Sequence, residues 1–62
     1  METYTIKNPR TIITKPCETY DKACEWFGEL LGSAFVNGIY GKFELFDESD
    51  TLILSADTSA HN

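Results

Sequence analysis

Polar and apolar residues alternate through Thr3-Tyr4-Thr5-Ile6-Lys7, and three of the five are β-branched, which is the pattern of a half-buried strand. Asn8-Pro9-Arg10 interrupts it as a turn, and Thr11-Ile12-Ile13-Thr14 resumes a β-type run as a second strand or extended segment. Lys15-Pro16 is expected to close that run, because proline drives the residue before it out of helical geometry. The period then changes. Tyr20, Ala23, Cys24, Phe27, Leu30 and Leu31 recur at helical spacing within one arc of about 120°, so an amphipathic helix is predicted over residues 20–31. Thr19 is the expected N-cap, with Cys17 or Pro16 packing behind it, although Lys22 stands where a capping box would place Glu or Gln. Gly32 is the expected residue just past the helix end, and Gly28 is a mild interior weak point of about 1 kcal/mol relative to Ala.

Beyond the helix, Asn37-Gly38 reads as a tight turn, since both residues tolerate positive φ. Residues 39–46 alternate as a strand, with Tyr40, Lys42, Glu44 and Phe46 on one face and Ile39, Gly41, Phe43 and Leu45 on the other. Asp47-Glu48-Ser49-Asp50 is a polar connection, and the apolar run of residues 51–56 returns antiparallel. Residues 57–62 read as a polar, flexible tail. The expected fold is therefore α+β: a small two-layer domain over residues 1–56 in ββαββ order, one helix packed on an antiparallel sheet.

Composition narrows the class. A chain of 62 residues has room for one core and no separate catalytic domain, since it buries only about 60% of its unfolded surface. Eight aromatic residues supply large buried areas, which a domain of marginal size needs. No apolar stretch approaches the roughly 20 residues of a membrane span, and the N-terminus lacks a basic and then apolar leader, so a soluble, unprocessed, cytoplasmic protein is expected. Cys17 and Cys24, if both lay near the helix, would stand about 10 Å apart, too far for a disulfide, and they are expected to be reduced thiols.

Catalytic chemistry finds little support. His61 lies in the tail, where nothing would hold it for proton transfer. Cys24 falls on the apolar arc as a small core residue, and Cys17, though near the helix start, has no base beside it. Cys17, Cys24 and His61 lack zinc spacing, Asp47, Glu48 and Asp50 lack the length and glycine of a calcium loop, and no phosphate-binding glycine loop is present. A non-enzymatic protein without metal or cofactor is the expectation.

Charge carries more. The chain has 5 basic and 10 acidic residues, a net −5 that disfavours direct binding to nucleic acid. Residues 1–16 hold Lys7, Arg10 and Lys15 against Glu2, whereas residues 17–62 hold Lys22 and Lys42 against the other nine acids. Glu18, Asp21, Glu25 and Glu29 fall within about 80° of the helical wheel, opposite the apolar arc, as a ridge about 16 Å long. Like charges four residues apart each cost a few tenths of a kcal/mol, and Glu29 in the predicted last turn also opposes the helix dipole, so local stability would have preferred lysine there. Solubility explains part of such a face. The sharper reading is a docking surface for a basic partner, made of this ridge with Trp26 at its border and with Asp47, Glu48 and Asp50 if they lie nearby.

In size, acidity, one-helix α+β layout and absence of catalytic groups, the chain resembles, generically, small phage- or prophage-encoded proteins that block host enzymes, among them anti-CRISPR, anti-restriction and host-polymerase inhibitors. The resemblance implies an inhibitor that occupies the nucleic-acid-binding surface of a larger host protein as an acidic mimic, and it carries over no individual functional residue. The alternative is a homo-oligomeric structural or regulatory protein assembled through residues 51–56 as an unprotected edge strand, a homodimer in its simplest form.

Overall fold

The computed structural model describes residues 1–58. The chain forms β1 (Glu2–Asn8), β2 (Thr11–Cys17), α1 (Tyr20–Val36), β3 (Lys42–Phe46) and β4 (Leu52–Asp57), the ββαββ order expected for a small α+β domain. All strand pairings are antiparallel, in the spatial order β2-β1-β3-β4. The alternation read from the sequence sets the register of β1 and β3: Tyr4, Ile6, Phe43 and Leu45 turn inward, and Thr5, Lys7, Glu44 and Phe46 occupy the other face. Ala23, Phe27 and Ala34 of α1 and Cys17 of β2 complete the core, whose centre is Ile6 at 1% and Leu45 at 0% exposure.

Four boundaries differ from the expectation, each for a physical reason. β2 does not stop before Pro16 but runs through it to Cys17. Thr3 gives its N–H to Glu48 on the β3 side, so by alternation Glu2 and Tyr4 face β2, and their opposites Cys17 and Lys15 face back. Pro16 therefore points to the open edge, where its missing N–H removes no ladder bond.

The helix likewise continues past Gly32 to Val36. Its start is as expected, with Thr19 Oγ1 accepting the Lys22 N–H at 3.1 Å. Its end is set by Asn37-Gly38, which terminates the helix and makes no hairpin: Gly38 sits at φ +74°, its N–H reaches Phe35 O at 3.1 Å, and the Ile39 N–H reaches Ala34 O at 2.8 Å. This double bond pattern with glycine in the left-handed region is a Schellman cap. Burial of Ala34 against the sheet rewards the extra turn and outweighs the helix-weakening glycine at 32.

Because the helix uses Asn37 and Gly38, β3 begins at Lys42, and Ile39 and Tyr40 belong to the connection. Gly41 in that connection has φ +135°, a backbone conformation that favours glycine, and a Cβ there would just touch Asn8 Nδ2 at 3.4 Å. At the other end β4 takes in Asp57, and Thr58 donates its N–H to Gly41 O at 3.0 Å, so the sheet reaches past the boundary expected at residue 56. The remainder of the expected tail, residues 59–62 with His61, lies outside the described residues.

The helix also sits rotated relative to the predicted arc. Ala23, Phe27, Leu30 and Ala34 face the core, Trp26 is half-buried on one flank, and Tyr20 is 55% exposed on the other. No helix among the described residues is long and apolar enough to cross a membrane.

Two glycines test the helix end by opposite signs. Gly32→Ala, at a helical position with open space around it, should stabilise the fold by about 0.5–1 kcal/mol, and Gly38→Ala should destabilise it by about 1–2 kcal/mol, both read from urea unfolding midpoints. Tyr4 provides a pH test. Burial, helped by the Glu2 carboxylate, raises its phenol above the usual 10.0. A raised acid contributes stability in full below pH 10.0 and loses it as pH rises through the folded value, so Tyr4→Phe should flatten the alkaline fall in stability seen by denaturation at neutral pH and above 10.0.

Candidate functional site

Helical periodicity places Asp21, Glu25 and Glu29 on the side of α1 turned away from the sheet; Glu18, expected on the same ridge, precedes the N-cap Thr19 and lies outside the helix, and all four are exposed. One weak contact tempers the ridge: Lys22 Nζ lies 3.8 Å from Glu25 Oε1, an exposed pair of the kind that contributes about 0–1 kcal/mol. The longer helix corrects the electrostatics expected at its end. Glu29 lies about two turns before Val36, too far for the dipole to oppose it, while Asp21 in the first turn is favoured.

The ridge borders a groove of about 410 Å³ between α1 and the end of β2, where Glu18, Glu25, Glu29 and Trp26 share the lining with Lys15, Lys22 and Cys17. Lys15 stands opposite Tyr4 in the β1–β2 register and therefore on the helix side of the sheet, and its Nζ lies 5.8 Å from the centre of the Trp26 ring. The indole thus already hosts a cation over its face with carboxylates alongside. Lys15 is the member of this site that sequence reasoning missed. The signal was its phase with Ile13 and Cys17, hidden by ending the strand at the proline.

Asp47, Glu48 and Asp50 lie at the end of the sheet where α1 starts, about two strand spacings, roughly 10 Å, from the end of β2. They do not line the groove, and each is engaged locally. Asp47 Oδ1 accepts the N–H groups of Ser49 and Thr51, both at 2.9 Å. Glu48 Oε1 accepts the Thr3 N–H at 2.8 Å, and Asp50, at φ +66°, lies 3.4 Å from Lys7 Nζ. These acids build the β3–β4 loop and tie it to β1.

Both cysteines are free. Cys17 is buried at the end of β2 and not near the helix axis, its thiol directed at Lys15 O 3.8 Å away, and Cys24 is half-buried. No three metal-ligating side chains converge among the described residues. No family model, curated protein or solved structure matches the chain.

The division between ridge and loop is measurable. Asp47→Ala removes the acceptor of two loop N–H groups and should cost about 1 kcal/mol in chemical denaturation, whereas Glu25→Lys, which relieves like-charge neighbours, should leave stability equal or raise it by a few tenths of a kcal/mol.

Proposed function

We propose that this protein is a non-enzymatic interaction module, acting in the cytoplasm, that docks the outer face of α1 on a basic surface of a larger protein and inhibits it by occupying that surface. The observation that carries the reading is the convergence of three ridge carboxylates, Glu18, Glu25 and Glu29, with the half-buried Trp26 on one groove. Carboxylates supply attraction and orientation, and tryptophan at their border supplies the apolar anchor that gives such contacts most of their energy. Asp21 extends the ridge toward the helix start, and Glu48, Asp47 and Asp50 add to the negative field of the same end of the molecule.

A groove that binds nucleic acid is the partner surface such a ridge fits best. One charge every 6 Å or so along the helix is sparser than one phosphate per about 3.4 Å of a DNA strand, so the mimicry is of field and not of spacing. Phage-type inhibitors of the anti-CRISPR, anti-restriction or host-polymerase kind are the specific form of this proposal.

Affinity capture from a bacterial lysate tests it, with the wild-type chain and the double variant Glu25→Lys, Glu29→Lys as baits. Capture of a basic protein that weakens as salt rises, and is lost with the double variant while its far-UV CD and melting temperature hold, is the expected result. Equal capture by both baits removes the ridge from the mechanism.

A further inference from the structure

The sheet has two unlike edges. At the β2 edge Pro16 faces outward and Lys15 flanks it, two devices that discourage another strand from pairing. The β4 edge carries neither proline nor lysine, and no strand among the described residues covers it. Thr58 gives its N–H to Gly41, so by alternation Ala56 and Leu54 turn their backbone groups toward β3, and Ser55 turns its N–H and C=O to the open side. The register slips between Leu45 and Phe46, which leaves Ile53 as the extra residue of a bulge.

The helix turns an apolar flank toward this side of the sheet. Trp26 meets Lys15 of β2, and Leu30 shares a pocket with Ile13 of β2, so the flank formed by Tyr20, Leu31 and Phe35 points the other way, over β3 and β4. Tyr20 is 55% and Leu54 38% exposed, so apolar surface remains on the helix flank turned to this side and on β4 itself, while Phe35, 49% exposed, packs edge-to-face against Tyr40 at 6.0 Å.

We propose that β4 pairs antiparallel with β4 of a second copy, joining two sheets into one continuous sheet about a two-fold axis. The occupant follows from charge and register. A basic strand gains nothing from an edge with no acid before Asp57, whereas β4 itself, apolar and uncharged from Leu52 to Ala56 with its one acid at the end, is the strand that the edge matches. Centred on Ser55, the pairing sets Ser55 against its own copy, Leu54 against Ala56 and Asp57 against Ile53, so no like charges stand opposite and each Leu54 gains an apolar neighbour. The axis is perpendicular to the sheet, so both helices lie on one face with their acidic ridges outward and apart. The interface is independent of the ridge.

Sedimentation velocity over a concentration series tests this on the full chain. The species is expected to move from 7.0 kDa to twice that mass as concentration rises, and the association should tighten as salt screens the net −5 carried by each copy, the opposite of ridge docking. Ser55→Pro removes an N–H that β3 does not use and should give a folded monomer. Leu54→Lys should raise the dimer Kd by at least about tenfold with the CD spectrum unchanged, and Thr14→Lys on β2 should leave Kd as it is. If Ser55→Pro fails to fold, Leu54→Lys decides. A wild-type chain that stays at 7.0 kDa throughout, or a dimer that weakens with salt or survives Leu54→Lys, overturns the proposal.

Discussion

One helix must cover four strands, and it is too narrow to do so. Four strands spaced about 4.8 Å apart set their outer members roughly 15 Å from each other, while a helix with its side chains is about 10 Å across. α1 lies toward β2, where Trp26 and Leu30 meet its residues, and the buried apolar side chains of the sheet are those of β1 and β3 beneath it together with Cys17 at the end of β2. The distribution of exposed apolar surface in the molecule follows from that placement: half-buried Ile53 and Ala56 on β4, an open Tyr20 flank, and a bare outer sheet face.

The bare face is managed with long and β-branched side chains. Lys7 lays its ammonium 4.5 Å from the centre of the Phe46 ring and reaches Asp50, so one residue shields an aromatic and holds the β3–β4 loop. Thr5 and Thr14 stand opposite one another on the same face. The ion pairs here and on α1 are exposed and contribute little to stability, so burial along the Ile6–Leu45 strip is what holds the fold together.

Charge and edge chemistry are consequences of the same geometry. With α1 using one side against the sheet, its opposite side is free of packing constraint, and three acids, Asp21, Glu25 and Glu29, can accumulate there at a cost of only tenths of a kcal/mol per pair. The carboxylates of the β3–β4 loop do structural work as hydrogen-bond acceptors, so acids of one type serve two ends in one small molecule. The two edges divide similarly, proline and lysine closing β2 while β4 stays open beside the uncovered helix flank.

Local periodicity determined the element types and their order, because a period of two in residues 3–7 and 42–46 and a helical period from Tyr20 onward each bury one face only in the observed conformation. It also placed the helical part of the acidic ridge, since helix geometry alone puts Asp21, Glu25 and Glu29 on one side, whereas Glu18 falls before the N-cap. Tertiary structure decided the boundaries. Pro16 is tolerated in a strand only because β2 became an edge, and Gly32 stays helical only because Ala34 finds the sheet, which turned Asn37-Gly38 from a hairpin signal into a helix cap. It decided the site as well: Lys15 and Trp26 are eleven positions apart and meet only when β2 and α1 pack, and Asp47 and Glu48 became loop acceptors only where backbone N–H groups came within reach. Each of these depends on which strand lies at an edge and which residues a narrow helix covers, and no local window contains that information.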